Sequence, residues 1–151
     1  MTGLKLVSLE FDDGEKIPRK YGYEVENINP PLEISGVPDD TKSLALIMDD
    51  PDAVKPAGKV WDHWVIWNIE PNTSQIGEDE VPPGAVEGKN DYNEQGYGGP
   101  NPPDREHTYK FKLYALDRTI DLPRNSKKED LEDEMKGHIL DKALLEGTFK
   151  P

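Results

Sequence analysis

The segment DDPDAVKPAGKVWDHW, residues 49–64, combines acidic residues around a proline with a histidine. Asp50 and Asp52 flank Pro51, and a proline pushes the residue before it into an extended conformation. Because residues two apart in an extended segment point the same way, we predict that both carboxylates face one spot. With His63 they could form a metal site, an acid–base pair or the polar floor of a pocket that only binds. Taken alone, the acidic residues also fit an ordinary Asx turn, and the histidine fits a packed core residue.

A second group of candidate residues lies in GYGGPNPP, residues 96–103, and in the HTY sequence that follows it. Gly98 and Gly99 allow the backbone to approach a ligand, and their N–H groups are candidate donors to an anion. His107 and Tyr109 are two apart at the start of a predicted strand, so their side chains share one face. The glycines do not match a dinucleotide-binding fingerprint, because no third glycine follows at the required spacing.

Runs of apolar residues predict the strands that must position these side chains. The continuous run LALIM at 44–48 is typical of a strand that is buried on both faces. Farther along, Tyr109 and Phe111 alternate with lysines, as in a strand with one buried face. The apolar runs predict strands at residues 4–9, 44–48, 63–69 and 108–116.

Helices are predicted only in the C-terminal part of the chain. The serine and the glutamate of SKKE, residues 126–129, match a capping box. Leu131 and Met135 then lie one turn apart on a common face. The apolar residues between 139 and 144 predict a second short helix, and residues 148–149 a short returning strand.

The composition favours one folded domain over residues 1–151 with a lean core. Hydrophobic residues make up 34% of the chain and the mean hydropathy is -0.82, but the apolar residues are bunched into runs. The 18 basic and 31 acidic residues give a net charge of -13, which disfavours binding to nucleic acid or to an anionic membrane. With no cysteine, the chain has no disulfide, no thiolate nucleophile and no cysteine-ligated zinc.

The first residues, MTGLKLVSLEFDDGEK, do not resemble a signal peptide, because acidic residues follow a short apolar stretch. The chain also has no run approaching the roughly 20 apolar residues that span a bilayer. We therefore expect a cytoplasmic protein that does not insert stably into membranes.

Four motifs in order, DDPDA, HWVIWNI, YGGPNPP and HTYKFKLYALD, resemble the phosphatidylethanolamine-binding protein family, also called Raf kinase inhibitor-like proteins. The resemblance covers nearly the whole chain and is closest to the short bacterial and archaeal branch. It implies a mostly β fold, an antiparallel β-sandwich with a few short helices, which agrees with the strand-rich pattern.

The resemblance also implies a small pocket for phosphate-like groups or phospholipid headgroups. Carried over by position, its residues are Asp50, Asp52, His63, Gly98, Gly99, Pro100, His107 and Tyr109. No cofactor is implied. A kinase or protease partner that contacts the pocket rim is an alternative function, and a homodimer is compatible with this branch of the family.

This chain departs from the family pattern near the expected pocket. The connection 53–62 is longer than the short version common in this branch. Asn101 stands where a cysteine is expected, and Thr108 stands where an arginine is usual. The segment after Pro103 is about one residue short. These changes affect the expected ligand more than the expected fold.

We expect the site to bind rather than to catalyse. Protonated His63 and His107, together with the Tyr109 hydroxyl, are donors suited to phosphate oxygens. Asp50 and Asp52 would orient these donors or accept an ammonium group. Histidine titrates near pH 6.5, so we expect tighter binding of phosphate-type ligands as the pH falls from about 8 to 6. No metal is expected, since no histidines have a short metal-binding spacing, and a small Asp–His hydrolase is a second alternative.

Overall fold

The computed structural model describes residues 3–151, and most of its regular structure is β. The strands are β1 (Lys5–Val7), β2 (Leu32–Ser35), β3 (Ser43–Asp50), β4 (Trp61–Ile69), β5 (Gln75–Ile76), β6 (Val86–Glu87), β7 (His107–Leu116) and β8 (Ile139–Phe149). The helices are α1 (Val54–Ala57) and α2 (Lys128–Met135), with single 3-10 turns at Arg19–Tyr21 and Pro51–Ala53. No helix in this described part of the chain is long and apolar enough to span a bilayer.

The strands form two antiparallel sheets that pack face to face. A three-stranded sheet has the order β1-β2-β5, and a five-stranded sheet has the order β6-β4-β3-β7-β8. The main core lies between the sheets and joins residues such as Leu6 and Leu32 to Met48 and Phe111. This arrangement confirms the predicted antiparallel β-sandwich.

The central strand β3 explains the continuous apolar run in the sequence. All eight of its residues are buried, because the strand is covered on both faces. Leu46 and Met48 point into the main core, whereas Ala45 and Ile47 pack in a second core with α2. The predicted strands at 44–48, 63–69 and 108–116 are therefore confirmed, and β1 is shorter than predicted.

The predicted second helix at 139–144 is wrong. These residues begin the long strand β8, which pairs with β7 from His107 opposite Phe149 to Leu116 opposite Ile139. The apolar spacing that favoured a helix comes from side chains that are exposed at this sheet edge. Pairing with the neighbouring strand therefore decided the structure rather than the local pattern.

The first turn of α2 also differs from the prediction. The N-cap residue is Lys127 rather than Ser126, and its backbone N–H donates to the Asp130 carboxylate at 2.9 Å. The Ser126 carbonyl instead accepts from the Lys89 N–H at 2.8 Å. Leu131 and Met135 are buried, as expected for one face of a helix.

Candidate functional site

A cavity of about 170 Å³ lies where the end of β3 meets the starts of β4 and β7. Antiparallel pairing brings these ends together, since Asp50 pairs with Trp61 and Asp49 with Lys110. The polar and aromatic side chains that line the cavity are Asp50, Trp61, His63, Tyr92, Asn101, His107 and Tyr109. The rest of its wall is apolar and consists of Ala53, Pro56, Ala57, Pro102 and Pro103. The structure thus brings four of the predicted residues into one cavity.

His107 is the best-anchored side chain of this cavity. Its Nδ1 lies 2.6 Å from Oδ2 of Asp50, and its Nε2 lies 2.7 Å from Oδ1 of Asp104. Carboxylates accept hydrogen bonds, so both contacts are complete when both ring nitrogens carry protons. The side chain of His107 is fully buried, whereas that of Asp104 is 35% exposed. His107 is therefore held between an inner and an outer carboxylate.

Asp50 also shapes the backbone beside the cavity. Its carboxylate accepts the Asp52 N–H at 2.9 Å and caps the 3-10 turn that starts at Pro51. Asp50 is extended, as predicted, but the chain turns at Pro51 because a side-chain oxygen of Asp50 satisfies a backbone donor. The prediction that Asp50 and Asp52 face one spot is therefore wrong. Asp52 is not among the residues that line the cavity, and its carboxylate accepts the Thr108 N–H at 2.9 Å.

The two carboxylates beside His107 have different pKa values. Burial raises the pKa of Asp50, and the hydrogen bond from His107 only partly opposes this effect. Burial also acts on Asp104, but hydrogen bonds from His107 and from backbone N–H groups bring its pKa below the usual value. The outer carboxylate is thus the more acidic of the two.

His63 does not have the charge expected from the sequence. Its side chain is buried, and Nδ1 donates to the Gly98 carbonyl at 2.7 Å. Burial lowers the pKa of His63 to about 4, although the contacts with the Gly98 and Gly99 carbonyls oppose this shift. The ring is therefore neutral near pH 7, and Nε2 is an acceptor in that form. The burial of His63 therefore opposes the protonated state that the sequence analysis expected for this ring as the pH falls from about 8 to 6.

Gly98, Gly99 and Pro100 do not line the cavity and instead bond to neighbouring segments. The Gly98 N–H donates to the His63 carbonyl at 2.9 Å, and the Gly99 N–H donates to Oδ1 of Asn27 at 2.7 Å. The Pro100 carbonyl accepts the N–H of Tyr23 at 2.9 Å. The N–H groups of Gly98 and Gly99 are therefore already bonded, so they are not the free anion donors that the sequence suggested.

A side chain at position 99 has no room. A Cβ there would lie 2.1 Å from the carbonyl oxygen of Tyr21, far inside van der Waals contact. The glycine is thus required by close backbone packing, whereas the sequence analysis attributed it to contact with a ligand.

Two buried donors at the cavity have no acceptor among residues 3–151. The Tyr109 hydroxyl lies close to the Asp50 carboxylate and to the Asn101 backbone, but neither contact meets the distance and angle limits of a hydrogen bond. The indole Nε1 of Trp61 is likewise buried and unbonded within this part of the chain. Burial and the Asp50 charge raise the pKa of Tyr109, so its hydroxyl stays protonated and is a donor at neutral pH.

Aromatic rings hold these donors in place. The His63 ring packs edge-on against Tyr109, with centroids 5.1 Å apart, and against Tyr92 at 5.7 Å. Trp61 packs edge-on against Tyr92 at 5.6 Å, and Tyr92 stacks on Tyr23 at 3.9 Å. Such pairs fix ring orientation beyond simple apolar contact. The site is consequently a cavity whose aromatic rings pack against one another, with Asp50 and His107 also in its wall.

The sequence analysis did not identify Trp61, Tyr92 or Asp104 as site residues. Trp61 could have been predicted from the sequence, because it lies two residues before His63 on one strand and shares its face. Tyr92 and Asp104 lie on irregular segments, where no periodicity indicates direction. No group of three histidine, aspartate or glutamate residues in the described chain is arranged to hold a metal ion.

Comparison with known proteins gives the family. The profile described as "Phosphatidylethanolamine-binding protein" matches residues 7–150. A UPF0098 protein from Methanothermobacter thermautotrophicus is 45% identical over 152 residues, covering 97% of this chain and 99% of the relative. A UPF0098 protein from Chlamydia trachomatis is 41% identical, with the same coverage of both chains.

Solved structures show the same fold. The chain superposes with a TM-score of 0.92 on CT736 from Chlamydia trachomatis, described as a putative phosphatidylethanolamine-binding protein homolog, at 40% identity. That match covers 100% of this chain and 99% of the other. Escherichia coli YbcL, described as a new member of the mammalian family, gives 0.92 at 30% identity and covers 99% of both chains. The chain described above belongs to the phosphatidylethanolamine-binding protein family.

Proposed function

We propose that the protein binds a small phosphate-bearing ligand in this cavity, either free or as a lipid headgroup, and does not transform it. The observation that carries the proposal is the buried hydroxyl of Tyr109, a residue that lines the cavity, because this hydroxyl has no acceptor in the described chain. A buried donor without a partner costs about 1–3 kcal/mol. A ligand that supplies an acceptor regains that free energy.

Phosphate suits the available groups better than a single acceptor does. Its oxygens accept several strong hydrogen bonds at once. The Tyr109 hydroxyl and the Trp61 indole are two unbonded donors, and the His107 ring carries a positive charge when both of its contacts are complete. The carboxylates around the ring suit an ammonium group on the same ligand, which is the chemistry of an ethanolamine headgroup.

The dimensions favour a headgroup rather than a large molecule. Sites for drug-sized ligands usually enclose about 300–1,000 Å³, and this cavity holds about 170 Å³. Four prolines and alanines, Pro56, Ala57, Pro102 and Pro103, form part of its wall. They offer apolar contact to the body of a ligand whose polar head lies inside.

The lining residues favour binding over catalysis. Covalent catalysis needs an activated nucleophile next to a base. Among the described residues, the cavity wall contains no serine, threonine, cysteine or lysine, and its carboxylate, Asp50, is already bonded to His107 and to the Asp52 N–H. Both nitrogens of His107 contact carboxylates, and Nδ1 of His63 contacts a carbonyl. The histidines are therefore arranged as fixed polar walls rather than beside an activated nucleophile.

Isothermal titration calorimetry with phosphoethanolamine and inorganic phosphate tests the proposal. We expect Tyr109→Phe to weaken binding of both by about tenfold, the value of one good hydrogen bond. Tyr114→Phe is the matched control, since Tyr114 lies on the opposite face of β7 and should bind like the parent. Equal affinity of the two variants for these ligands would mean that the Tyr109 hydroxyl does not contribute to binding.

Vesicles separate the two ligand sources. If the protein recognises lipid headgroups, phosphatidylethanolamine vesicles should retain it in a sedimentation assay and free phosphoethanolamine should release it. If it recognises only free compounds, calorimetry should detect binding and vesicles should not retain the protein. Failure in both assays would contradict the proposed function.

A further inference from the structure

Asp104 blocks the outward side of His107. Its Oδ1 lies 2.7 Å from Nε2 of His107 and also accepts the Arg105 N–H at 3.0 Å. The other ring nitrogen contacts Asp50, which is buried and also caps the turn at Pro51. Both ring nitrogens of His107 are thus occupied by the protein's own carboxylates.

We propose that Asp104 determines ligand selectivity by acting as a resident anion, which a phosphate group must displace from Nε2 of His107. This inference rests on the proposed function. A carboxylate oxygen and a phosphate oxygen bind the same N–H donor, and both cannot occupy one position. An anion that binds Nε2 therefore breaks the contact between Asp104 and the ring. It then lies near the displaced Asp104 carboxylate, which is also negatively charged.

The geometry indicates which of the two carboxylates moves. Asp50 is 4% exposed and has a second hydrogen bond to the Asp52 N–H. Asp104 is 35% exposed and lies in the irregular segment between Pro103 and the start of β7. The guanidinium of the neighbouring Arg105 lies 3.7 Å from the Asp52 carboxylate, and Arg105 contacts Asp104 through its backbone N–H. Asp104 is consequently the carboxylate that can turn toward solvent.

This arrangement favours some phosphate compounds over others. A plain phosphate ester leaves the displaced Asp104 carboxylate next to a second anion, and like charges at short range repel each other. A phosphate with an adjacent ammonium offers that carboxylate a partner. The cavity should therefore prefer zwitterionic phosphates to simple anionic ones because of Asp104.

Calorimetry with ethyl phosphate and phosphoethanolamine tests this role, since the two compounds differ by the amine. We expect Asp104→Asn and Asp104→Ala to bind ethyl phosphate about tenfold more tightly than the parent. The gain for phosphoethanolamine should be smaller, so the preference between the ligands decreases. Glu106→Gln is the control, because it removes the same charge from the same segment and its side chain is exposed. It should bind like the parent.

Other outcomes would overturn the inference. If the Asp104 variants bind ethyl phosphate like Glu106→Gln while the parent binds measurably, Asp104 has no competing role and the cavity proposal stands. Weaker binding by the Asp104 variants means that Asp104 supports the ring in a binding orientation instead. Binding by none of the proteins overturns both proposals. Thermal unfolding of each variant checks that the compared proteins are folded.

Discussion

The Nδ1 atom of His107 lies 2.6 Å from Oδ2 of Asp50, although the residues are 57 positions apart in the chain. Their contact joins the start of β7 to the end of β3, where antiparallel pairing brings the two strands together. Both side chains are almost fully buried. The pair therefore stabilises the sandwich and also holds the imidazole at the cavity.

Removal of Asp50 should destabilise the fold as well as the site. Asp50→Ala leaves His107 without its inner partner and the Asp52 N–H without its acceptor. Breaking a buried pair on one side typically costs about 3–5 kcal/mol. Urea unfolding should show a loss of that order. Asp12→Ala, at an exposed position, should change stability by less than about 0.5 kcal/mol, and equal losses would contradict the account.

Removal of the Tyr21 hydroxyl and removal of the Tyr109 hydroxyl should affect stability differently. Tyr21 donates to a Glu78 carboxylate oxygen at 2.5 Å, so Tyr21→Phe should reduce the free energy of unfolding by about 1 kcal/mol. Tyr109→Phe removes a buried hydroxyl that has no acceptor in the described residues, so stability should stay unchanged or rise. Chemical denaturation of both variants measures the difference. A similar loss for Tyr109→Phe would mean that its hydroxyl is already bonded within the fold.

The neutral state of His63 makes stability depend on pH. Its pKa is about 4 in the fold and about 6.5 when the chain is unfolded. Between these values the unfolded chain binds a proton that the folded chain does not, so stability decreases as the pH falls from 6.5 toward 4. The full effect is about 3 kcal/mol, since each pKa unit corresponds to 1.36 kcal/mol.

The variant His63→Gln isolates this effect because an amide can still donate to the Gly98 carbonyl. Burial raises the pKa values of Asp50 and Asp62, and these carboxyls change stability in the opposite direction at lower pH. They are present in both proteins and cancel in the difference. Urea unfolding across this pH range should show a steeper decrease for the parent than for the variant. Parallel curves would mean that His63 is protonated in the fold.

An ion cluster on the other face of the sheet connects α2 to the strands beside the cavity. The Lys128 ammonium lies 2.7 Å from Asp62 and 3.2 Å from Asp49, both of which are buried. Lys128→Met leaves Asp62 without its cation and should lower stability by about 3 kcal/mol. Lys127→Met, at the adjacent exposed position, should have little effect. In the Lys128→Met background, Asp62→Asn should restore part of the loss, and no recovery would contradict this assignment.

Local patterns in the sequence predicted β3 and β7 well, because burial on one or both faces determines their side chains. The same reasoning failed at β8, where Ile139, Leu140 and Leu144 are exposed at an edge and happen to follow helical spacing. Pairing between strands is a long-range property that a local pattern does not contain. The family resemblance, rather than spacing, brought Asp50 and His107 together in the analysis.

The protonation states and hydrogen bonds of the site were harder to predict than the identity of its residues. The neutral charge of His63 depends on burial, and the bonded N–H groups of Gly98 and Gly99 depend on which backbone atoms lie opposite them. The contact of Asp104 with His107 depends on the path of an irregular segment. A kinase or protease partner, a homodimer and a cytoplasmic location stay predictions.

The indole N–H of Trp61 provides the most direct test of phosphate binding in the cavity. Two-dimensional ¹H–¹⁵N spectra resolve one indole signal for each of the three tryptophans, and Trp61→Phe identifies the relevant one. Trp64 already donates to Glu87 at 2.7 Å and is an internal reference. During titration with phosphoethanolamine, the Trp61 signal should shift to saturation while the Trp64 signal stays in place. A Trp61 signal that does not move, or that moves only as much as the Trp64 signal, would contradict the account.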